Sequence, residues 1–460
     1  MRRVIALVIV CSAALIGPLI ASRAATAADD DPNIIKTHNA SGQLRTFNAA
    51  GALDLNNPFF RDLGTNGRTC FTCHQPQDAW TITPAGVLER FIESNGTDPI
   101  FRSNDGSNCE GTASRSPKAY SLLLTRGLIR VGIDVPIGAE FVIDEVDDPY
   151  KCGAPLTQAS MYRRPLPSTN VKFLTAVMWD GRESSPTRTI EEDLMHQSNE
   201  ATIGHAQASL PLTALERQQI VAFEMGLFTA QSRDTDAGSL SAEGASGGPL
   251  TLFNQPFFIG INDPVGLNPT GTGFTPNVFT LFNPWGALPG SANDERTRAR
   301  RSIARGQEIF NTKTFTISGV AGLNGQTFPN GVIPPASFPG TCTICHDTPN
   351  AGNHSVKAPL NLGLTEPKVA KYLPVYALRN LATGDTVRTT DPGRAMITGK
   401  WADVGKFKGP VLRALAARAP YFHNGSAATL EEAIQFYDDR FDIGLTRREK
   451  DDLAAFLRAL

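Results

Sequence analysis

Two pentapeptides carry the clearest chemistry in this chain. Cys70-Phe71-Thr72-Cys73-His74 and Cys342-Thr343-Ile344-Cys345-His346 both read Cys-x-x-Cys-His, the attachment sequence of c-type haem. One helical turn presents both thiols to the two vinyl groups of a porphyrin, and the adjacent histidine reaches the iron. With 7 Cys and 7 His in 460 residues, two such matches do not arise by chance. A zinc site would gather four thiolates, yet the pairs lie far apart and each carries its own histidine. A thioredoxin-like disulfide motif needs a βαβ setting, which flanks rich in Gly, Pro and Thr do not offer. Cys109 and Cys152 are then left over. In an oxidising compartment a disulfide between them is expected, closing a long loop; two free buried thiols are the alternative.

The compartment follows from the first residues. Arg2 and Arg3 precede an apolar run from Val4 to Ile20, and Ala25-Thr26-Ala27 supplies small residues for cleavage, the pattern of a signal peptide over residues 1–27. An uncleaved anchor is the alternative, although Ser12, Gly17 and Pro18 interrupt the run and it is short for a span. Without Arg2, Arg3 and Arg23 the 43 basic residues fall to 40 against 45 acidic, a formal −5. Such a balance attracts no nucleic acid. The one dense basic run, RTRARRSIAR over 296–305, reads as a solvated helix face or a junction, or alternatively as a docking site for an acidic redox partner. No later stretch is apolar enough to cross a bilayer.

The elements that must position these motifs occur in two related halves. Pro58-Phe59-Phe60 precedes the first motif and residues 302–310 precede the second, each read as a short amphipathic helix leading to a haem. Residues 214–231 and 447–460 have apolar positions at helical spacing and close the two halves. A strand pair is expected around Gly127–Ile133 and Glu140–Ile143. Residues 232–293, dense in Gly, Ser, Pro and Asn, read as a long ordered connection. The expected fold is mainly α: two cytochrome c-like haem domains, 28–294 and 295–460, with long ordered loops and a small β excursion in the N-terminal half.

Further segments complete a resemblance: Met178-Trp179-Asp180-Gly181-Arg182, then Ala419-Pro420-Tyr421-Phe422-His423-Asn424-Gly425 and Ala428-Thr429-Leu430-Glu431-Glu432-Ala433. With the two haem motifs, in this order, the chain resembles the bacterial di-haem cytochrome c peroxidases and their tryptophan-modifying relative MauG. The resemblance implies two covalently bound c-type haems. The haem on His74 would be the catalytic one, with an open distal face that takes hydrogen peroxide. The haem on His346 would be six-coordinate and relay electrons, and Trp179 would sit between the two; a core anchor at a helix end is its alternative role. Where the peroxidases place a ligating Met, fourteen residues past the His of Pro-Tyr-Phe-His, this chain has Tyr437, as MauG-like members do. A phenolate favours ferric iron and lowers the potential. Alternatively, Tyr437 packs beside the haem and Met396 or another group ligates.

The expected distal Glu-Met pair is missing. Glu200 is nearest by spacing, and His205 is the other candidate acid-base group, since a neutral imidazole can take a peroxide proton and return it. Arg164 and Arg418 stand where the family has calcium ligands, so calcium is disfavoured; the two guanidinium groups could pair with haem propionates. The resemblance thus implies a periplasmic, peroxide-dependent oxidoreductase, its electrons drawn from a small donor protein or from an oxidisable residue of a partner, with no membrane insertion after cleavage. A non-catalytic electron-transfer cytochrome and a haem-dependent oxygenase are the alternatives.

Overall fold

In the computed structural model, which describes residues 31–460 apart from 113 and 290–293, threonine caps five of the six longer helices. These are α1 (Pro84–Ser94), α2 (Ile190–Gly204), α3 (Ala214–Met225), α5 (Leu430–Phe441) and α6 (Arg447–Arg458); Asp294 caps α4 (Glu295–Thr312). Each cap oxygen accepts a backbone N–H that the first turn leaves unpaired. In α2, α3 and α6 a Glu three residues on bonds back to the cap, completing a capping box. The expected export segment, residues 1–27, lies outside the described residues.

The two halves repeat one local construction. Phe59 lies 6.1 Å from the His74 ring and 4.9 Å from Phe223 of α3; Phe310 of α4 lies 5.9 Å from His346 and 5.8 Å from Phe456 of α6. Each haem motif is thus backed by an aromatic from the preceding segment and one from the closing helix. The preceding segments differ. Pro58–Phe60 is a single 3-10 turn, where a short amphipathic helix was expected, while α4 runs for 18 residues. Pro58 pre-sets the turn, and the chain turns extended at Arg61.

Strand structure exceeds the one small excursion expected, so the architecture is helices with several sheets. A four-stranded sheet runs β1 (Ile34–Asn39), β2 (Gly42–Asn48), β6 (Leu227–Asp234), β7 (Gly238–Ser239). The strands expected near 127–133 and 140–143 form as β3 (Ile129–Asp134) and β4 (Phe141–Asp147), but they do not pair with each other. β3 pairs antiparallel with β5 (Gln158–Arg163), and β4 with β10 (Val375–Asn380), which also pairs with β11 (Thr386–Thr389). The reason is burial: Phe141 and Ile143 of β4 pack with Met161, Tyr376 and Leu378 in one apolar cluster, which a local hairpin would leave exposed. A short pair, β8 (Phe315–Ser318) with β9 (Ser337–Gly340), completes the sheets among the described residues.

The Gly- and Ser-rich stretch after β6 does more than connect. Leu240, Phe279, Phe282 and Trp285 are buried in the same cluster as Ile303, Phe310, Leu453 and Phe456 of the C-terminal helices. The basic run of α4 is engaged as well: Arg300 stacks on Trp285 at 5.3 Å, and Arg305 pairs with Asp452 at 2.7 Å. No helix among the described residues is long and apolar enough to cross a membrane.

Candidate active site

A 3-10 turn carries Cys70–Thr72, fixed by a reciprocal capping box between Thr69 and Thr72. The His74 ring follows at its end, with Nδ1 donating to the Trp80 carbonyl at 2.9 Å. A carbonyl only accepts, so Nδ1 carries the proton and Nε2 keeps its lone pair. Burial holds the imidazole neutral, lowering its pKa to about 4. The second motif is built alike: Cys342–Ile344 form a 3-10 turn and His346 Nδ1 donates to the Gly352 carbonyl at 2.7 Å. All four cysteines are unbridged, whereas Cys109 and Cys152 form a disulfide with Cα atoms 5.2 Å apart. Free thiol pairs beside a histidine whose Nε2 is available fit covalent haem attachment at both places.

Cys70, Cys73 and His74 line one open-mouthed cavity. Two buried cations, Lys408 and Arg413, and the partly buried Arg418 share its wall. Burial lowers all three, Lys408 to about 7, Arg413 to about 9 and Arg418 to about 10. The Nε atoms of Arg413 and Arg418 have no hydrogen-bond partner. Buried cations without carboxylates need an anion, and the propionates of a haem supply two.

The structure brings His205 into this cavity and leaves Glu200 out. His205 follows α2, with Nδ1 bonded to the buried carboxylate of Asp105. Glu200 is exposed, its carboxylate accepting from the Asn199 amide, whereas Gln197, Ala201 and Thr202 of the same helix line the cavity. Trp179 donates from Nε1 to the Arg164 carbonyl at 2.8 Å and meets His423 edge-on at 6.2 Å. His423 stacks on Phe407 at 4.0 Å and is buried, its Nε2 without a hydrogen bond. Arg164 and Arg418 adjoin, an Arg164 Nη2 donating to the Arg418 carbonyl at 3.2 Å.

Tyr437 of α5 is near enough to Cys342 and Cys345 that their charges, after burial, push its phenol above the ordinary range. Met396 sits elsewhere, buried with Phe141, Met161 and Tyr376. Sequence reasoning missed Asp105, Lys408, Arg413 and His423 as parts of the site. The Pro-Tyr-Phe-His segment pointed at His423; the other three had no local signal.

No family model matches the chain. The chain is 36% identical over 135 residues to cytochrome-c peroxidase IdrP2 of Denitromonas iodatirespirans, covering 26% of this chain and 36% of that protein. It is 32% identical over 120 residues to cytochrome c551 peroxidase of Nitrosomonas europaea, covering 26% of this chain and 30% of that protein. Together with the two Cys-x-x-Cys-His segments, these matches support the resemblance to the bacterial di-haem cytochrome c peroxidase and MauG superfamily. The chain spans about a third of the length of the curated relatives it matches. Among solved structures, a MauG-like protein associated with microbial copper homeostasis aligns over 88% of this chain and 86% of its own, at 16% identity and a TM-score of 0.40.

Proposed function

We propose that this protein is an exported, periplasmic di-haem c-type cytochrome that reduces hydrogen peroxide at the His74 cavity. The observation that carries the reading is the meeting, in one cavity, of the first Cys-x-x-Cys-His segment with His205. Haem c, when bound, supplies an iron that takes and activates peroxide and exchanges electrons. His74 and His346 hold the two groups through Nε2, because each Nδ1 is committed to a backbone carbonyl. Lys408, Arg413 and Arg418 neutralise the carboxylates of the first group.

His205 moves the proton: Nε2 accepts it from peroxide and returns it to the departing oxygen. Trp179, held at Nε1 and packed on His423, is the side chain through which oxidising equivalents are shared between the two centres. Tyr437 ligates at the second centre, a reading supported by its nearness to Cys342 and Cys345 and by the distant burial of Met396. Calcium is disfavoured, since Arg164 and Arg418 occupy the positions it would need. The reductant is a small periplasmic donor protein or an oxidisable residue on a partner protein.

Purified protein should yield two haems c per chain by pyridine haemochrome. Its ferric paramagnetic resonance spectrum should contain a high-spin component that disappears with stoichiometric peroxide. Two low-spin signals inert to peroxide would make the protein an electron carrier, and oxygen uptake dependent on an organic compound would make it an oxygenase.

A further inference from the structure

We infer that Asp105 is a positioning residue for proton transfer: its carboxylate, anchored by Arg68, holds His205 with Nδ1 protonated and Nε2 presented to the cavity. This assignment rests on the peroxidase reading of the same cavity and adds what makes His205 competent in it.

The three residues come from separate parts of the chain and meet in a built site. Asp105 Oδ1 accepts from Arg68 Nη1, and Oδ2 from His205 Nδ1. The side chains of Arg68 and Asp105 are 4% and 8% exposed, while that of His205 is 37% exposed and lines the cavity. A carboxylate accepts and cannot donate, so the shared hydrogen belongs to His205 and the free lone pair of the neutral ring is on Nε2.

Arg68 is itself fully committed. Its Nε donates to the Pro99 carbonyl at 2.8 Å, and its Nη2 donates to the Ile100 and Arg102 carbonyls at 2.9 and 3.3 Å. It therefore serves as a scaffold for Asp105 and has no donor left to offer a ligand. Burial alone would raise the Asp105 carboxyl, but the hydrogen bonds from His205 and Arg68 and the Arg68 charge keep the group below its ordinary range.

The backbone around His205 is clamped too. Its carbonyl accepts from Asn66 Nδ2 at 2.8 Å, Arg68 Nη1 at 3.2 Å and Asn104 Nδ2 at 3.3 Å. Gly64 permits this closeness, since a Cβ there would stand 1.9 Å from the Ala206 carbonyl oxygen. The loop leading to the first haem motif therefore also holds His205 in place. Asp105 is tied in turn by its carbonyl, which accepts from Arg130 N at 2.8 Å, and its loop is closed by the Cys109–Cys152 disulfide.

In the proposed step, hydrogen peroxide gives one proton to Nε2. The same proton returns to the outer oxygen as the O–O bond breaks, so that oxygen leaves as water. Over the full reduction two electrons from the donor and two solvent protons complete the conversion of peroxide to two waters, and His205 ends unchanged.

The test uses the haem-loaded protein and reads cyanide association with the ferric form as well as the peroxide reaction. Hydrogen cyanide must also surrender a proton as it binds. Asp105→Asn and His205→Gln should each slow both reactions about 10²-fold, the double variant should be no slower than either, and Asp105→Glu should recover most of the loss. His205→Gln leaves the Asp105–Arg68 pair intact, so it reports on proton transfer even where Asp105→Asn unfolds. Unchanged cyanide rates in His205→Gln, or fully additive losses in the double variant, would overturn the assignment. A wild-type protein that binds cyanide but does not reduce peroxide would end the peroxidase reading alone, and the cyanide rates would still decide the role of Asp105.

Discussion

Glu224 of α3 is a buried acid in the first cavity that the proposed chemistry does not use. Its Oε2 has no hydrogen-bond partner, and burial pushes its pKa up from 4.5 to about 8. The native state therefore keeps a proton that the unfolded chain gives up. Stability from this group is complete below pH 4.5 and is lost as the pH rises to about 8. Glu224→Gln, which cannot ionise, should melt with the wild type at pH 5 and above it at pH 9, by roughly 2–4 °C per kcal/mol recovered; parallel melting curves would refute this. At the second site, Tyr437→Met would exchange the proposed phenolate ligand for a thioether. The potential of that centre should rise by part of the ~0.8 V that axial ligands span, and spectroelectrochemical titration showing no change would remove tyrosine from the coordination shell.

At the scale of elements, the C-terminal half depends on one close crossing. α4 and α6 approach until a Cβ on Gly306 would lie 2.0 Å from the Asp452 carbonyl oxygen and 2.6 Å from Phe456 Cβ. The same crossing sets Phe456 against Phe310, and so backs the His346 ring. Gly306→Ala should force the helices apart at a cost of about 1–3 kcal/mol or more, measured by denaturant unfolding. It should also broaden the spectrum of the second haem more than that of the first; an unperturbed melt would show that the helices can slide to absorb a methyl group. Helices α3 and α6 were legible in the sequence as apolar positions at helical spacing over 214–231 and 447–460, although the first ends at Met225 and β6 follows. The partners of β3 and β4 were not, because alternation marks a strand but leaves its neighbour open.

Across the whole molecule, Arg163 of β5 joins segments from both halves. Its guanidinium binds Asp391 through Nε and Nη2 at 2.7 and 2.8 Å and also bonds Asp180, which follows Trp179. Side-chain exposures of 3%, 2% and 0% for Arg163, Asp391 and Asp180 make this a fully desolvated cluster. Asp180 is held down to about 2, the guanidinium charges of Arg163 and Arg182 overcoming burial. Arg163→Met would strip the buried Asp391 of its arginine and leave Asp180 with Arg182 alone, and a loss of about 3–5 kcal/mol is expected. It should release Trp179 as well, since Trp179 immediately precedes Asp180; thermal melting and tryptophan fluorescence together check this, and a melt within 1 kcal/mol of wild type would show that water reaches the cluster.

The haem motifs and the closing helices α3 and α6 were readable from the chain alone, because each is written as a local spacing of residues. The placing of His205 but not Glu200 in the cavity wall, the carboxylate behind it and the cations around it were decided only on folding. Asp105 reaches Arg68 across 37 residues and His205 across 100, distances over which no periodicity operates. Packing of α2 against the loops at 64–69 and 102–109 determines which polar side chains lose water together, and that loss makes a set of scattered residues into a site.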